Sequence, residues 1–234
     1  MNESLKKLYY SKWHNLSKAL NFALIEKSND LKPSNPLLIS LNNNNYENSD
    51  IKLMVFGQET NSWYEDFNND LEKTLKLYDI FFNNGYAQKE YGSPFWQGIN
   101  RFIELLKEKK PKKKIGIVWN NLIKIGCSER NANRPPEYLY KIEKEYFKII
   151  NEEIKIFKTD IILFLSGPDY DSSIQSNFEN IKFNAISKKY DTRKIAKLSF
   201  ENHKNIYRTY HPKYLRMSKK TDDYFKAIIE SIEI

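Results

Sequence analysis

Short apolar runs that alternate with helical stretches constrain the fold of this chain most strongly. The strand-like runs are Ile51–Phe56, Ile115–Trp119, Asp160–Leu165 and Asn205–Tyr210. Apolar residues at helical spacing mark the stretches around them, at residues 1–28, 71–83, 94–106, 138–157 and 218–232. Strands separated by helices form a mainly parallel sheet with helices on both faces. The pattern therefore predicts an α/β fold, a three-layer α/β/α sandwich around a central, mainly parallel four-stranded sheet.

The N-terminal fifth of the chain reads as an addition to this pattern. Residues 29–50 contain two prolines and the asparagine run Asn42–Asn45, which predicts a loop after the first helix. Residues 178–200 read as short strands and turns, and no linker divides the rest of the chain. We expect a single domain over residues 1–234, with residues 1–50 as an N-terminal helical extension and loop.

Composition limits the classes of partner and cofactor. The formal charge is +8 and aromatic residues make up 15% of the chain, which fits a polyanionic partner such as DNA. A genome rich in A and T would also enrich lysine and asparagine, so the charge alone does not decide. The single cysteine, Cys127, rules out an internal disulfide and argues against a zinc site or an iron–sulfur cluster.

The hydropathy of the sequence indicates in which cellular compartment the protein is expected. Every apolar run is far shorter than the ~18 residues of a membrane span, and the first residues are too polar for a signal peptide. We expect a cytoplasmic monomer that binds DNA and has no membrane association, metal or cofactor.

Polar side chains follow each of the four predicted strands. They are Gln58 and Glu59, then Asn121 and Lys124, then Ser166, and finally His211. The carboxyl ends of parallel strands meet at one edge of a sheet, and sites form there. Each residue alone is an ordinary loop residue, but a carboxylate, an amide and a histidine at one edge predict a site. With seven glycines and no glycine-rich phosphate loop, a nucleotide-processing enzyme is disfavoured.

Four segments carry a resemblance to a known family. They are Gly57–Glu59, Ser93–Trp96, Asn121–Lys124 followed by Asn133–Pro135, and Tyr210–Arg216. In order and spacing they resemble motifs of the uracil-DNA glycosylase superfamily, including its His-Pro loop with a leucine wedge. The similarity spans residues 51–217 and departs from the family at three points. The cysteines of the iron–sulfur branch are missing, Glu59 replaces an aspartate, and Asn61 replaces a gating tyrosine.

The resemblance implies a monofunctional, base-flipping DNA glycosylase. Glu59 would stabilise the positive charge on the sugar and orient a water, and neutral His211 would donate a hydrogen bond to the departing base. The base-binding residues it implies are Gln58, Asn61, Phe95 and Asn121. The DNA-binding residues it implies are Lys124, Arg134, Ser166, Lys213, Leu215 and Arg216, with Leu215 as the wedge.

The identity of the base stays open between alternatives. A small polar residue at position 61 favours a modified pyrimidine, such as the hypermodified bases of phage DNA, and thus a role in antiviral defence. The Asn121 amide would serve uracil or cytosine equally if it can turn over. One alternative is an ordinary uracil-repair glycosylase. Another, motivated by Glu59 in place of aspartate, is a catalytically inactive nucleic-acid-binding protein on the same fold.

Overall fold

A six-stranded sheet forms the centre of the molecule. The computed structural model describes residues 1–26, 31–41, 45–128, 134–178, 180–201 and 203–233. The strands follow the order β2-β1-β3-β6-β5-β4 across the sheet. Their bounds are β1 Ile51–Glu59, β2 Ile115–Ile123, β3 Ile161–Phe164, β4 Lys182–Ala185, β5 Ile195–Phe200 and β6 His203–Thr209.

The four strands predicted from apolar runs form the parallel part of this sheet. Strands β2, β1, β3 and β6 are parallel neighbours, and β5 and β4 continue the sheet in antiparallel pairing. The mainly parallel α/β architecture is therefore confirmed, but the strand number of four was wrong. Strands β4 and β5 lie within residues 178–200, which were predicted as short strands and turns but not counted in the sheet. Strand β4 lies at the sheet edge with Lys182 and Asn184 exposed, so its apolar pattern is weaker than that of a central strand.

Helices surround the sheet. They are α1 Asn2–Glu26, α2 Leu71–Tyr78, α3 Tyr86–Lys89, α4 Pro94–Lys109, α5 Glu137–Tyr146, α6 Ile150–Phe157, α7 Asp171–Asn177, α8 Pro212–Met217 and α9 Thr221–Glu230. A π-helical turn, Asp79–Asn83, continues α2, and a 3₁₀ turn, Pro168–Tyr170, precedes α7. Within the described ranges, none of the helices combines the length and apolar character that crossing a bilayer requires.

Two adjacent asparagines show that helices cover both faces of the sheet. The Asn120 amide donates to Glu153 of α6 at 2.8 Å, whereas Asn121 lies over Gly57 beside Phe95 of α4. Successive residues of a strand point to opposite faces. Helices α4 and α6 therefore lie on opposite faces; α8 and α9 pack with α4, and α1 packs with α5 and α6. This is the predicted three-layer arrangement.

The helical pattern predicted over residues 138–157 is two helices, α5 and α6, instead of one. Phe147 and Ile149, between them, are both almost fully buried. In a continuous helix two such residues would point about 200° apart, so only one could face the sheet. Breaking the helix buries both, and the long uninterrupted helix was wrong for that reason.

Candidate active site at the carboxyl edge of the sheet

Gly57 lies at the centre of the candidate site because its missing side chain leaves room for two others. Gly57 pairs with Asn121 across β1 and β2. A Cβ at position 57 would collide with the Asn121 Oδ1 and lie 3.2 Å from Cζ of Phe95. The backbone of β1, the amide of Asn121 and the ring of Phe95 thus meet at one point.

The amide of Asn121 is held in one orientation. Trp119 Nε1 donates to its Oδ1 at 3.2 Å, and its Nδ2 donates to Thr60 Oγ1 at 3.1 Å. The Thr60 hydroxyl itself donates to the Ile123 carbonyl at 3.0 Å, so it can only accept from Asn121. Turning the amide over would break both bonds. The free reversal that would let Asn121 serve uracil and cytosine equally is therefore opposed by its neighbours.

His211 is neutral and has a defined tautomer. Its ring stacks on Phe95, with centroids 5.6 Å apart and 19° between the planes. Its Nδ1 accepts the backbone N–H of Lys213 at 3.2 Å, which leaves the proton on Nε2. Burial, helped by the charge of Lys213, lowers the pKa of His211 to about 4. At neutral pH the imidazole is thus an uncharged donor through Nε2.

Glu59 lies two residues beyond Gly57, half-buried between two tyrosines. The Tyr140 hydroxyl lies 3.4 Å from Glu59 Oε2, and the Tyr170 hydroxyl is also hydrogen-bonded to this carboxylate. The guanidinium of Arg134 lies over the Tyr170 ring, 5.3 Å from its centroid. Burial raises the pKa of Glu59, and the Tyr170 hydrogen bond, the Arg134 charge and the Tyr140 hydrogen bond oppose that rise.

Tyr140 and Tyr170 are the site residues that the sequence analysis missed. Burial and the nearby Glu59 raise the pKa of Tyr170 to about 12, so its phenol stays a donor at neutral pH. Tyr140 lies in the apolar pattern of α5, and Tyr170 follows the turn after β3. A tyrosine in either place usually belongs to the core, and only the packing of α5 and the 3₁₀ turn on Glu59 reveals the contact.

The remaining predicted base-binding residues lie at the rim of the site. Gln58 points to the other face of β1, where its Nε2 donates to the Ser166 carbonyl at 2.7 Å. Asn61 is exposed, two residues after the end of β1. Their roles in binding a base stay predictions.

Three of the predicted DNA contacts are corrected by burial. The Lys124 amine is fully buried, 2.9 Å from Glu153 Oε1, which is buried as well. Ser166 is 2% exposed, and its hydroxyl donates to the Gly167 carbonyl. Leu215 is 0% exposed, so it is a core residue of α8 and not a projecting wedge. A phosphate or base stack outside the protein reaches none of these side chains.

The other predicted DNA contacts are at the surface. Lys213, Arg216 and Arg134 are all exposed. Arg216 Nη1 donates to Gln97 Oε1 at 3.0 Å, which orients the guanidinium at the start of α4. Asn133, part of the segment that resembles the family's Asn-Arg loop, lies outside the described residues. No group of three or more His, Cys, Asp or Glu side chains suited to a metal ion occurs in the described part of the chain.

A comparison with protein families assigns most of the chain to one of them. A family model described as the uracil DNA glycosylase superfamily matches residues 45–233. No curated protein shows a significant match to the chain. The matched region contains the whole sheet, Glu59, Asn121 and His211, and it leaves α1 outside. The chain belongs to the uracil-DNA glycosylase superfamily.

Proposed function

We propose that this protein is a monofunctional DNA glycosylase that flips out a uracil-like or modified pyrimidine and hydrolyses its N-glycosidic bond. Members of the superfamily are typically DNA glycosylases. The observation that carries the proposal is the set of Glu59, Asn121, Phe95 and His211 at one sheet edge, with His211 neutral and stacked on Phe95. This set offers a ring surface, an amide, a neutral donor and a carboxylate.

The chemistry assigns each group a separate task. A flipped pyrimidine stacks against Phe95. Asn121 forms hydrogen bonds with the polar edge of the base, using the amide hydrogen and the oxygen lone pair that Thr60 and Trp119 do not occupy. As the C1′–N bond breaks, its electron pair moves to the base, and His211 Nε2–H stabilises that negative charge. Glu59 faces the positive charge on the sugar and accepts the proton of the water whose oxygen bonds to C1′. The proton taken up by Glu59 then passes through solvent to the base anion, so the products are the neutral free base and an abasic site.

The substrate is the finer part of the proposal. Asn61 is exposed next to the strand end, where the family resemblance puts a gating tyrosine. A small polar side chain leaves room for a 5-substituent, so we propose a modified pyrimidine of phage DNA and a role in antiviral defence. Ordinary uracil repair remains the alternative, as does a protein that binds DNA without cutting it.

An excision panel tests this proposal. Oligonucleotides carrying uracil, 5-hydroxymethylpyrimidines or glucosylated pyrimidines are incubated with the protein, and abasic sites are detected by alkali cleavage. We expect excision of at least one 5-substituted base. Excision of plain uracil alone would assign the protein to repair, and no excision with retained DNA binding would support the inactive alternative.

Two variants complete this test. Glu59→Gln should retain DNA binding and lose at least ~10²-fold in rate, as expected for a positioned carboxylate. Asn61→Tyr should suppress excision of 5-substituted bases and spare uracil, because the larger ring narrows the pocket at that edge. Full turnover in Glu59→Gln, or an unchanged base preference in Asn61→Tyr, would contradict the respective role.

A further inference from the structure

Leu215 is poorly placed to fill the gap that a flipped nucleotide leaves. It is 0% exposed within α8, a helix that packs against α4 and α9. Its carbonyl accepts the Lys220 N–H at 2.9 Å, and its own N–H donates to the His211 carbonyl at 3.2 Å. To enter a base stack, Leu215 would have to leave the core and disturb the helix that positions His211.

The neighbouring residue, Tyr214, has the exposure that Leu215 lacks. Its side chain is 52% exposed. Its N–H donates to the His211 carbonyl at 2.9 Å, so it lies one turn after His211, in the same first turn of α8. Its ring packs on Tyr210, with centroids 4.4 Å apart, and Tyr210 in turn lies against Gly167 beyond β3. Tyr214 is therefore an exposed aromatic ring that Tyr210 supports, one helical turn from His211.

The charges around Tyr214 suit a DNA backbone. Lys213 and Arg216 flank it and are exposed, and the six residues of α8 include no carboxylate. Arg216 is oriented by Gln97, whose own Nε2 donates to the Gly92 carbonyl at 2.8 Å. An aromatic ring between two cations can stack on a base while the cations contact the adjacent phosphates.

We propose that Tyr214, and not Leu215, enters the base stack when the target nucleotide leaves the duplex. This inference rests on the proposed glycosylase function and assigns the wedge to a residue that the family motif does not mark. Met217, 74% exposed at the end of α8, is the other exposed apolar side chain of this helix. It lies nearly two turns from His211, so its substitution serves as a matched control.

A binding experiment tests the wedge without relying on excision. The probe is a duplex that carries a tetrahydrofuran abasic analogue with 2-aminopurine opposite it, and an intact 2-aminopurine duplex is the reference. Wild-type protein should bind the abasic duplex more tightly and change the 2-aminopurine fluorescence. Tyr214→Ala should lose that change and about tenfold in affinity, in the range found for base–aromatic stacking, whereas Tyr214→Phe and Met217→Ala should retain both.

The possible results distinguish a failure of the Tyr214 assignment from a failure of the proposed glycosylase function. A full fluorescence change in Tyr214→Ala, its loss in Met217→Ala, or no change with wild-type protein would overturn the assignment of Tyr214. Loss of the change in a folded Leu215→Ala variant, with Tyr214→Ala unaffected, would restore Leu215. A Tyr214-dependent change in a protein that excises no base would contradict the glycosylase proposal alone. Excision without a Tyr214-dependent change would contradict the wedge alone.

Discussion

At the scale of single residues, burial gives Glu59 and His211 complementary protonation properties. Removal from water disfavours the charged form of both side chains, so it raises the pKa of the acid and lowers the pKa of the base. His211 thus stays neutral down to about pH 4, while Glu59 takes up a proton above its ordinary range. Above the raised pKa of Glu59, the site therefore holds a neutral donor and a carboxylate together, the pair that the proposed cleavage of the glycosidic bond requires.

The pH dependence of activity should therefore report Glu59. We expect kcat/KM to fall as the pH drops through the raised pKa of Glu59, because the protonated acid cannot accept the proton of the water. Tyr140→Phe and Tyr170→Phe each remove a donor that stabilises the carboxylate, so each should move this acidic limb to higher pH. The measurement is kcat/KM against pH on an excised base.

A matched control for these variants is Tyr138→Phe. Tyr138 lies on the same helix, but its hydroxyl donates to the Leu31 carbonyl at 2.6 Å. Tyr138→Phe should leave the acidic limb in place even if it lowers stability. If all three variants shift the limb equally, the contacts of Tyr140 and Tyr170 with Glu59 do not set its protonation.

Gly57→Ala should act through Asn121. The new Cβ would collide with the Asn121 Oδ1, and because that contact is a side chain, the amide must move and lose its fixed orientation. We expect a fall in excision rate of about 10-fold or more, as for a displaced base-reading group. If Gly57→Ala acts only by displacing the Asn121 amide, the double variant Gly57→Ala/Asn121→Ala should be no slower than Asn121→Ala alone. Additive losses would show an independent role for Gly57.

At the scale of elements, the hydroxyl of Tyr9 links α1 to α6. Tyr9 is fully buried; its hydroxyl donates to Glu153 Oε1 at 2.7 Å and accepts the Ile39 N–H at 3.0 Å. Glu153 also holds the buried Lys124, so α1 completes the network that surrounds an ion pair in the core. The helix lies outside the family match, and we propose that it is an integral part of this protein's single domain.

Tyr9→Phe should lower the free energy of unfolding by about 1–3 kcal/mol, because the buried Ile39 N–H loses its acceptor and the buried Glu153 carboxylate loses one of its donors. Tyr10→Phe is the matched control: Tyr10 is 54% exposed and its hydroxyl donates to Glu72 on the surface. That variant should change stability by less than about 0.5 kcal/mol. Equal effects in urea unfolding would show that α1 is not anchored through Tyr9.

At the scale of the whole molecule, we expect DNA binding to depend on where the positive charges lie and not only on the net charge of +8. Lys213 is exposed next to His211 at the candidate site, whereas Lys155 of α6 pairs with Glu201, which follows β5. Since β5 runs antiparallel to β6, its end lies at the edge of the sheet away from the candidate site. The two lysines thus carry the same charge at opposite edges.

Lys213→Ala should weaken binding to every DNA sequence and reduce the slope of log affinity against log salt by about one. The slope should be unchanged in Lys155→Ala, measured on the same duplex. A smaller slope in both variants would mean that binding follows the overall charge and not the edge of the sheet that carries Glu59 and His211.

The sequence alone determined the parallel sheet and the edge at which the polar residues gather. Four apolar runs separated by helices leave few other arrangements, and Gly57, Asn121 and His211 follow from the positions where those runs end. The resemblance to the family also marked Phe95 as a base-binding residue, and the structure then placed its ring against His211. These features depend on local pattern and on the direction of parallel strands.

The tertiary structure decided which of those residues reach the surface. Lys124 and Leu215 stand in motifs that predict DNA contact, but α6 buries the first against Glu153 and the packing of α8 buries the second. Conversely, Tyr140 and Tyr170 meet at Glu59 only because α5 and the turn after β3 pack there. Exposure and long-range contacts depend on how elements pack, and residues distant in sequence decide that packing.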